Sequence, residues 1–413
     1  MKRVVVVGAG MAGLVSATAL ARAGFAVTCA QFGVGGIPLT PGVVDVYGYA
    51  PGLVADPLGA VSAAPAGHPY ATIGRQATTR GLDLLRELAG SDMLAGDAAA
   101  NTYLPTAVGA WRPACLYPPS MAAGRQGASE HLVIVGLARL KDFYPQLIAG
   151  NLAASASPDG QHPHVRAASV DVVARPGEAD SSGMAFARFF DTDDGRRALV
   201  NALRPLVGEG ETVGLPAVLG LEDATAWRKI QDALGHPVFE IPLPPPSVPG
   251  WRLTQALVRA AENAGVRFMR GSRVVEVRQA GGRATGVVLA SAGHPTLVAA
   301  DAVVLATGGF ESGGLAIDSH HQVAETVMGL PLANVPDEPF TADAFGPQPA
   351  FLAGVRVDEA MHPLDDNGAP VLGNLHAVGG LLAGSIRWDE KTGEGIAVGS
   401  AVAAADAIGK ELA

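Results

Sequence analysis

Hydrophobic residues along the chain form short unbroken runs separated by polar and small residues. The first run covers residues 4–7, and others occur at 131–136, 301–310 and 375–378. Runs of this length rich in valine, isoleucine and leucine are typical of strands buried on both faces of a parallel sheet. The pattern therefore predicts an α/β fold with buried parallel strands.

The segments between these runs predict helices and shorter strands. Apolar residues at helical spacing predict helices over residues 14–23, 79–88, 183–190, 195–203, 224–234, 253–264 and 396–408. Further strands are predicted at 25–30, 212–215 and 266–269, strands and turns over 101–119, and a hairpin from 273–277 and 285–289. Residues 40–69 are rich in Gly, Pro and Ala and predict loops.

Three glycines follow the first run in the spacing G-x-G-x-x-G. Gly8 permits a tight turn, Gly10 lets backbone N–H groups approach a pyrophosphate, and Gly13 lets the helix pack closely on the strand. The strand, helix and second strand form a βαβ unit of about 30 residues. The sequence therefore predicts a Rossmann-like nucleotide site at the start of this helix, which also includes Met11 and Ala12.

The same opening residues also fit a secretory signal peptide. A Lys-Arg start, an apolar run and the triplet Ala-Arg-Ala before Gly24 are the features of such a peptide. Its removal would leave the strand at 25–30 without its partner, so the nucleotide interpretation is favoured. One position departs from the dinucleotide pattern, because Gln31 stands where Asp or Glu usually contacts the ribose. Glutamine can accept and donate hydrogen bonds, so the identity of the nucleotide stays open.

Small residues also end two later strands and open the last helix. Only residues of this size let a strand end lie against a bound nucleotide, and a helix N-terminus favours a phosphate. The further predicted cofactor contacts are Ala306, Thr307, Gly308, Gly379, Gly380 and Gly395.

Composition limits the classes of function. Hydrophobic residues make up 48% of the 413 residues and charged residues 16%, as in a globular enzyme. A net charge of −10 disfavours nucleic acid as the main partner. Two cysteines cannot supply the four thiolates of an iron–sulfur cluster, so another subunit would have to hold such centres. No apolar run reaches the length of a membrane span.

The proline-rich segment 241–252 predicts a domain boundary, because consecutive prolines stop helices. We expect a discontinuous flavin-binding Rossmann-like domain of residues 1–100 and 253–413. We also expect an inserted α+β substrate or cap domain of residues 101–252.

An ordered set of short segments carries a family resemblance over nearly the whole chain. They are HPY at 68–70, VG at 135–136 with DF at 142–143, ARF at 187–189, LPA at 215–217 with GL at 220–221, PPSV at 245–248 with Gly250 and Arg252, and SGGL at 312–315 with GL at 329–330. Together with the glycine motifs, they resemble the B subunit of anaerobic glycerol-3-phosphate dehydrogenase, within the two-dinucleotide-binding-domain flavoproteins.

This resemblance implies a flavin-dependent oxidation of sn-glycerol 3-phosphate to dihydroxyacetone phosphate, with electrons passing to quinone in anaerobic respiration. It implies two partners: a larger flavoprotein, the A subunit, and an iron–sulfur protein, the C subunit, which holds the complex on the inner face of the cytoplasmic membrane. The family is associated with FMN in its B subunit, whereas the glycine spacing suits the diphosphate of FAD, and both stay open. The alternatives are a self-sufficient FAD-dependent oxidoreductase and a non-catalytic electron-transfer or assembly subunit.

Four side chains are candidates for the chemistry. A phosphate-bearing substrate favours arginine, which suggests Arg188 and Arg252, although either could form a structural salt bridge. Oxidation of an alcohol needs a base, for which His68 and His320 are candidates, with His321 beside the latter.

Overall fold

The computed structural model describes residues 1–156, 160, 162–290 and 294–413. Its strands, in chain order, are β1 (Arg3–Val7), β2 (Ala26–Gln31), β3 (Ala95–Gly96), β4 (Thr102–Pro105), β5 (Trp111–Ala114), β6 (Leu116–Tyr117), β7 (His131–Leu137), β8 (His164–Val170), β9 (Thr212–Pro216), β10 (Val238–Ile241), β11 (Arg267–Arg270), β12 (Arg273–Ala280), β13 (Arg283–Ala290), β14 (Thr296–Ala299), β15 (Ala302–Leu305), β16 (Leu315–Ile317), β17 (Val323–Glu325) and β18 (Leu375–Ala377).

The helices alternate with these strands. They are α1 (Met11–Arg22), α2 (Pro57–Ser62), α3 (Pro69–Ala89), α4 (Pro145–Ala154), α5 (Gly183–Phe190), α6 (Asp193–Leu203), α7 (Ala226–Leu234), α8 (Val248–Asn263), α9 (Arg387–Glu390) and α10 (Gly393–Glu411). Within the described ranges, we find no helix with the length and apolar character needed to cross a membrane.

A five-stranded parallel sheet forms the core of the first compact unit, which comprises Met1–Gly36, Asp45–Leu88 and Leu257–Ala413. Its strand order is β11-β2-β1-β15-β18. The chain leaves β1 toward β2 on one side, whereas β15 and β18 lie on the other. In open parallel sheets, ligands bind outside the carboxyl ends of strands where the order reverses, here at the ends of β1 and β15.

The central position of β1 agrees with the nucleotide interpretation of the opening residues. Its four valines are at most 6% exposed. It pairs with β2 along its whole length and with β15 from Val4 to Val7. Helix α1 connects β1 to β2 and packs against α10. Removal of a signal peptide before Gly24 would delete the middle strand of this sheet.

The second compact unit comprises Ile37–Val44 and Ala89–Ala256. Its main sheet is also parallel, with the order β10-β9-β7-β8. Two short antiparallel pairs, β3 with β6 and β4 with β5, accompany it. Fully buried aromatic and aliphatic side chains fill its core, among them Ile134, Phe186, Phe190, Leu199 and Phe239. The predicted domain boundaries stay a prediction, because compactness alone does not show that either unit functions separately.

Most predicted elements are present, and three predictions need correction. The predicted loop 40–69 contains α2, which begins with Asp56 accepting a hydrogen bond from the Gly59 N–H. Helix α3 begins ten residues before the predicted start at 79, with a non-helical Gly74 inside it. Helix α8 begins at Val248, inside the proline-rich segment and before the predicted start at 253. Proline is tolerated in the first turn because the N–H that it lacks would have no partner within the helix.

Candidate functional site

The turn between β1 and α1 has room for glycine alone at two of its positions. Gly8 has φ +109°, and a Cβ added there would lie 2.3 Å from the Ala306 carbonyl oxygen. A Cβ on Gly13 would lie 2.0 Å from the carbonyl oxygen of Gly8. The first and third glycines therefore bring β15 and α1 into close contact with the end of β1.

The middle glycine of the turn borders open space instead. A Cβ on Gly10 would meet no atom within 4 Å, and Gly10 precedes α1 without any side chain capping the helix. The first N–H groups of an α-helix have no partner within the helix and carry its partial positive charge. The residues present therefore fit a diphosphate at Gly10, Met11 and Ala12, as the sequence predicts.

The end of β15 forms the second wall of this site. Ala306 donates its N–H to the Val7 carbonyl at 2.9 Å, which fixes the strand end beside the glycine turn. Gly308 follows with φ +75°. The Thr307 hydroxyl is buried and has no hydrogen-bond partner among the described residues. Since buried polar atoms are usually paired, this hydroxyl also fits a site completed by a polar ligand.

The end of β18 joins the same region through two glycines. Gly379 has φ +71° and lies so close to α1 that its Cβ would be 2.7 Å from the Ala12 Cβ. The Gly380 carbonyl accepts a hydrogen bond from Arg387 Nη1 at 2.9 Å. Arg387 also pairs with Glu311 at 3.0 Å. Sequence reasoning missed Arg387 and Glu311, because nothing local links residues 76 positions apart.

Two predicted cofactor contacts have different surroundings. The Gly395 N–H donates to the Asp45 carbonyl at 2.9 Å, and a Cβ on Gly395 would lie 2.1 Å from the Tyr70 hydroxyl. Protein atoms therefore occupy the position where a flavin was predicted to contact Gly395. Gln31 lies half-buried at the end of β2, and its contact with a ribose stays a prediction.

His68 is buried, and both of its ring nitrogens are engaged. Its Nδ1 accepts a hydrogen bond from the Tyr70 N–H at 3.1 Å, and its Nε2 lies 3.2 Å from Glu390 Oε2. An accepting Nδ1 carries no proton, so Nε2–H donates to the carboxylate. The Tyr47 ring stacks on the imidazole with centroids 5.5 Å apart. This arrangement leaves no free lone pair with which His68 could take a proton from a substrate.

Glu390 is the residue on which this cluster converges. Burial opposes its ionisation, but hydrogen bonds from His68, Ser385 and Thr392 outweigh burial and hold its pKa below the ordinary value. Burial of Tyr47 raises the pKa of its hydroxyl, and the negative charge of Glu390 raises this pKa further. Glu390 is 322 residues from His68, so the sequence carried no local signal for the pair.

Arg252 is the partner of a buried carboxylate in the second unit. Its Nη1 and Nη2 lie 2.8 Å and 3.1 Å from the two oxygens of Glu240, and its Nε donates to the Gly220 carbonyl at 2.7 Å. Glu240 also accepts from Ser120 and from the Leu219 N–H. The structure thus places Arg252 in the salt bridge that the sequence analysis gave as the alternative to substrate binding.

The other two catalytic candidates are exposed. Arg188 lies on α5 with no carboxylate partner among the described residues. His320 lies in the turn between β16 and β17, where its N–H donates to Asp318 at 2.8 Å. His321 follows with φ +63° and packs edge-on against Phe340. The roles of Arg188 and His320 stay predictions.

Comparison with known proteins gives relatives over the whole chain. The family described as FAD binding domain matches residues 3–396. A protein of Halobacterium salinarum named as the probable B subunit of anaerobic glycerol-3-phosphate dehydrogenase is 33% identical, covering 99% of this chain and 98% of that protein. The B subunit of anaerobic glycerol-3-phosphate dehydrogenase from Yersinia pseudotuberculosis is 29% identical with the same coverage.

Among solved structures, the 3-ketosteroid Δ1-dehydrogenase of Sterolibacterium denitrificans is similar over 100% of both chains. Its sequence identity to this chain is 11% and its TM-score 0.47.

Proposed function

Because this chain belongs to the FAD-binding domain family and to the family of the anaerobic glycerol-3-phosphate dehydrogenase B subunit, we propose that it is a flavin-dependent oxidoreductase subunit. Its reaction is the oxidation of sn-glycerol 3-phosphate to dihydroxyacetone phosphate, with electrons passed to quinone. The secondary alcohol loses two electrons and two protons in this conversion.

The open space at Gly10 is the observation that carries the cofactor part of the proposal. Gly8 and Gly13 are enclosed by backbone atoms, whereas Gly10 is open on the side where a Cβ would lie, at an uncapped helix start. Bound flavin would supply the acceptor for the two electrons of the alcohol. The chain's part is to hold it with the N–H groups of Gly10, Met11 and Ala12, with Gly379 keeping β18 against α1. A diphosphate at this position favours FAD over FMN.

Arg188 is the proposed contact for the substrate phosphate. Its guanidinium is exposed and has no carboxylate partner in the described ranges, whereas Arg252 is neutralised by Glu240. We expect Arg188→Ala to raise the KM for glycerol 3-phosphate at least about tenfold, as for loss of a charge-assisted hydrogen bond. Arg197→Ala is the matched control, since Arg197 is exposed on the adjacent α6 and pairs with Asp194. An unchanged KM in Arg188→Ala would remove this part of the proposal.

His320 is the proposed base, since His68 has both nitrogens engaged. A general base contributes about 10²- to 10⁴-fold to the rate, so His320→Gln should lower kcat by about that factor. If His321→Gln lowers kcat in this way instead, the base is the neighbouring histidine and this assignment fails.

The proposed complex adds two proteins at the inner face of the cytoplasmic membrane, the flavoprotein A subunit with the iron–sulfur C subunit. Two features support this part: the relatives are named as subunits, and this chain's two cysteines are buried and too few for a cluster.

Reconstitution tests the whole proposal. The purified chain, alone and combined with its neighbouring subunits, is assayed for glycerol 3-phosphate oxidation with a quinone analogue. We expect turnover only in the complex, and loss of flavin from this chain should abolish it. Turnover by the isolated chain would favour a self-sufficient oxidoreductase. Full turnover in a complex whose copy of this chain has lost its flavin would favour an assembly role.

A further inference from the structure

Two histidines and a glutamate converge where β18 meets the end of α10, a cluster that the proposed reaction does not use. His376 lies in the middle of β18, Glu411 is the last residue of α10, and His362 lies in the segment before β18. One side-chain atom from each residue lies within 4.8 Å of the others.

The His376 ring is held in one tautomer. The side chain is 0% exposed, and its Nδ1 lies 2.8 Å from the Ala360 carbonyl oxygen. A carbonyl only accepts hydrogen bonds, so Nδ1 carries the proton and Nε2 of the neutral ring carries the lone pair. This buried Nε2 has no hydrogen-bond partner among the described residues.

His362 is oriented in the same way by a carboxylate. Its Nδ1 lies 3.0 Å from Asp358 Oδ2. The other oxygen of Asp358 accepts the N–H groups of Ala360 and His362 at 2.9 Å each. The carboxylate is thus fixed as an acceptor, and the buried Nε2 of His362 is also left without a hydrogen bond in the described part of the chain.

Both free nitrogens face the carboxylate of Glu411. His362 Nε2 lies 3.0 Å from Oε1, and His376 Nε2 lies 3.4 Å from Oε2. Neither contact has the geometry of a hydrogen bond. Three electron-pair donors therefore face one another.

We propose that His362, His376 and Glu411 bind a divalent transition-metal ion of the zinc class through Nε2, Nε2 and a carboxylate oxygen. Zinc ligands lie about 2.0–2.2 Å from the ion, which places neighbouring tetrahedral ligands roughly 3.4 Å apart. The separations of 3.0 Å and 3.4 Å, measured to different oxygens of Glu411, are near this spacing, and all three ligand atoms lie within 4.8 Å of one another. Metal-bound histidines usually donate their other ring N–H to a carboxylate or a backbone carbonyl, as Asp358 and Ala360 accept here.

Protonation of the two histidine rings would be a less favourable way to pair with Glu411 than a bound metal ion. Each Nε2 could donate to Glu411 only if its ring were cationic, because Nδ1 already holds a proton. Two imidazolium rings would then lie with centroids 4.7 Å apart, one of them fully buried. Like charges at this distance in a desolvated site are unfavourable. A single divalent ion removes this conflict.

The site would fasten the C-terminal helix to the sheet. Glu411 is 23% exposed on its side chain, so water can supply a fourth ligand. The ion would join the last residue of α10 to β18, at a position separate from the glycine turn.

Metal binding is tested on the full chain after dialysis against a chelator. Zn²⁺ is titrated by calorimetry, bound metal is counted after gel filtration, and thermal unfolding is followed with and without Zn²⁺. We expect one Zn²⁺ per chain and a higher Tm. Glu411→Gln and His362→Ala should lose stoichiometric binding, and Asp358→Asn should weaken it about 10- to 100-fold.

His236→Ala is the control, because His236 Nδ1 also lies against a backbone carbonyl, that of Glu211. It should bind Zn²⁺ as the unaltered chain does. Glu411 lies at the end of its helix, so Glu411→Gln is expected to fold, and flavin content checks this. The inference is overturned if the unaltered chain binds no Zn²⁺ at micromolar concentration, or if Glu411→Gln and His362→Ala bind it equally well.

Discussion

The starts of α1 and α10 are similar in sequence and different in space. Both helices begin at glycine-rich turns, so the sequence predicts a phosphate or flavin at each. At α1, the added Cβ of Gly10 would meet nothing within 4 Å. At α10, the Tyr70 hydroxyl occupies the space where a Cβ of Gly395 would lie. The Gly395 N–H donates to the Asp45 carbonyl. A glycine at the start of a helix therefore indicates close approach, and only the surroundings tell whether ligand or protein approaches.

The largest loss of stability is expected at Gly13, because backbone atoms fill the space where a side chain would lie. Gly13→Ala would place a Cβ 2.0 Å from the Gly8 carbonyl oxygen, which no side-chain movement can relieve. We expect destabilisation of roughly 3 kcal/mol or more, or loss of folded protein, in chemical denaturation. Gly150→Ala on α4 is the control, since no atom lies within 4 Å and alanine favours a helix by about 1 kcal/mol. Normal stability of Gly13→Ala would mean that the turn is not packed as described.

Gly10→Ala should separate ligand binding from folding. The new methyl group would meet no protein atom within 4 Å, and it would lie on the side of Gly10 where we propose the cofactor phosphate. We expect the free energy of unfolding of the flavin-free chain to fall by at most about 1 kcal/mol, the usual difference between glycine and alanine before a helix. Flavin per chain, measured by absorbance after denaturation, should fall at least tenfold.

Tyr70→Phe tests the start of α10, where the Tyr70 hydroxyl occupies the space beside Gly395. The hydroxyl donates to the Val46 carbonyl at 2.6 Å and lies 3.2 Å from the Thr392 carbonyl. Its loss removes the donor to the Val46 carbonyl, whereas the Thr392 carbonyl keeps the Ile396 N–H at 3.0 Å. A buried acceptor left unpaired costs about 1–3 kcal/mol of unfolding free energy. Flavin per chain should not change, in contrast to Gly10→Ala. A loss of flavin at normal stability would show that this turn contacts the cofactor after all.

The smallest expected effect is a pH dependence at Glu390. Burial opposes its ionisation, but its hydrogen bonds, first among them that of His68, lower its pKa from 4.5 on folding. The stabilisation is therefore fully present above its ordinary pKa and is lost as the pH falls through the folded value. Glu390→Gln should be less stable than the unaltered chain at pH 7, and the difference should shrink below about pH 4.5. Glu338→Gln, which removes an exposed carboxylate, is the control.

Local signals predicted most of the fold. The helix predicted at 183–190 is α5 with the same bounds, and the opening βαβ unit is present as β1, α1 and β2. Proline and glycine led to wrong predicted starts for two helices, because α8 includes Pro249 in its first turn and α3 continues across Gly74. Helix propensity describes isolated peptides, whereas packing in a folded protein can keep a helix continuous through proline or glycine.

The candidate site was predictable only where its residues are neighbours in sequence. The glycine turn is local, and its geometry agrees with the predicted tight turn at Gly8 and close helix packing at Gly13. The predicted contact of Gly10 with a pyrophosphate stays a prediction. The partners of Arg252 and His68 are distant in sequence, at Glu240 and Glu390. A charged residue type alone cannot tell a substrate contact from a buried ion pair, because both use the same hydrogen-bonding groups.

Mass identification of the flavin released by acid from the purified chain tests the central claim most directly. The side of Gly10 on which a Cβ would lie is open, at an uncapped helix start, so we predict FAD at one molecule per chain, absent from Gly10→Ala. Release of FMN, of no flavin from a chain that also fails to rebind FAD, or of equal FAD from Gly10→Ala would contradict the account.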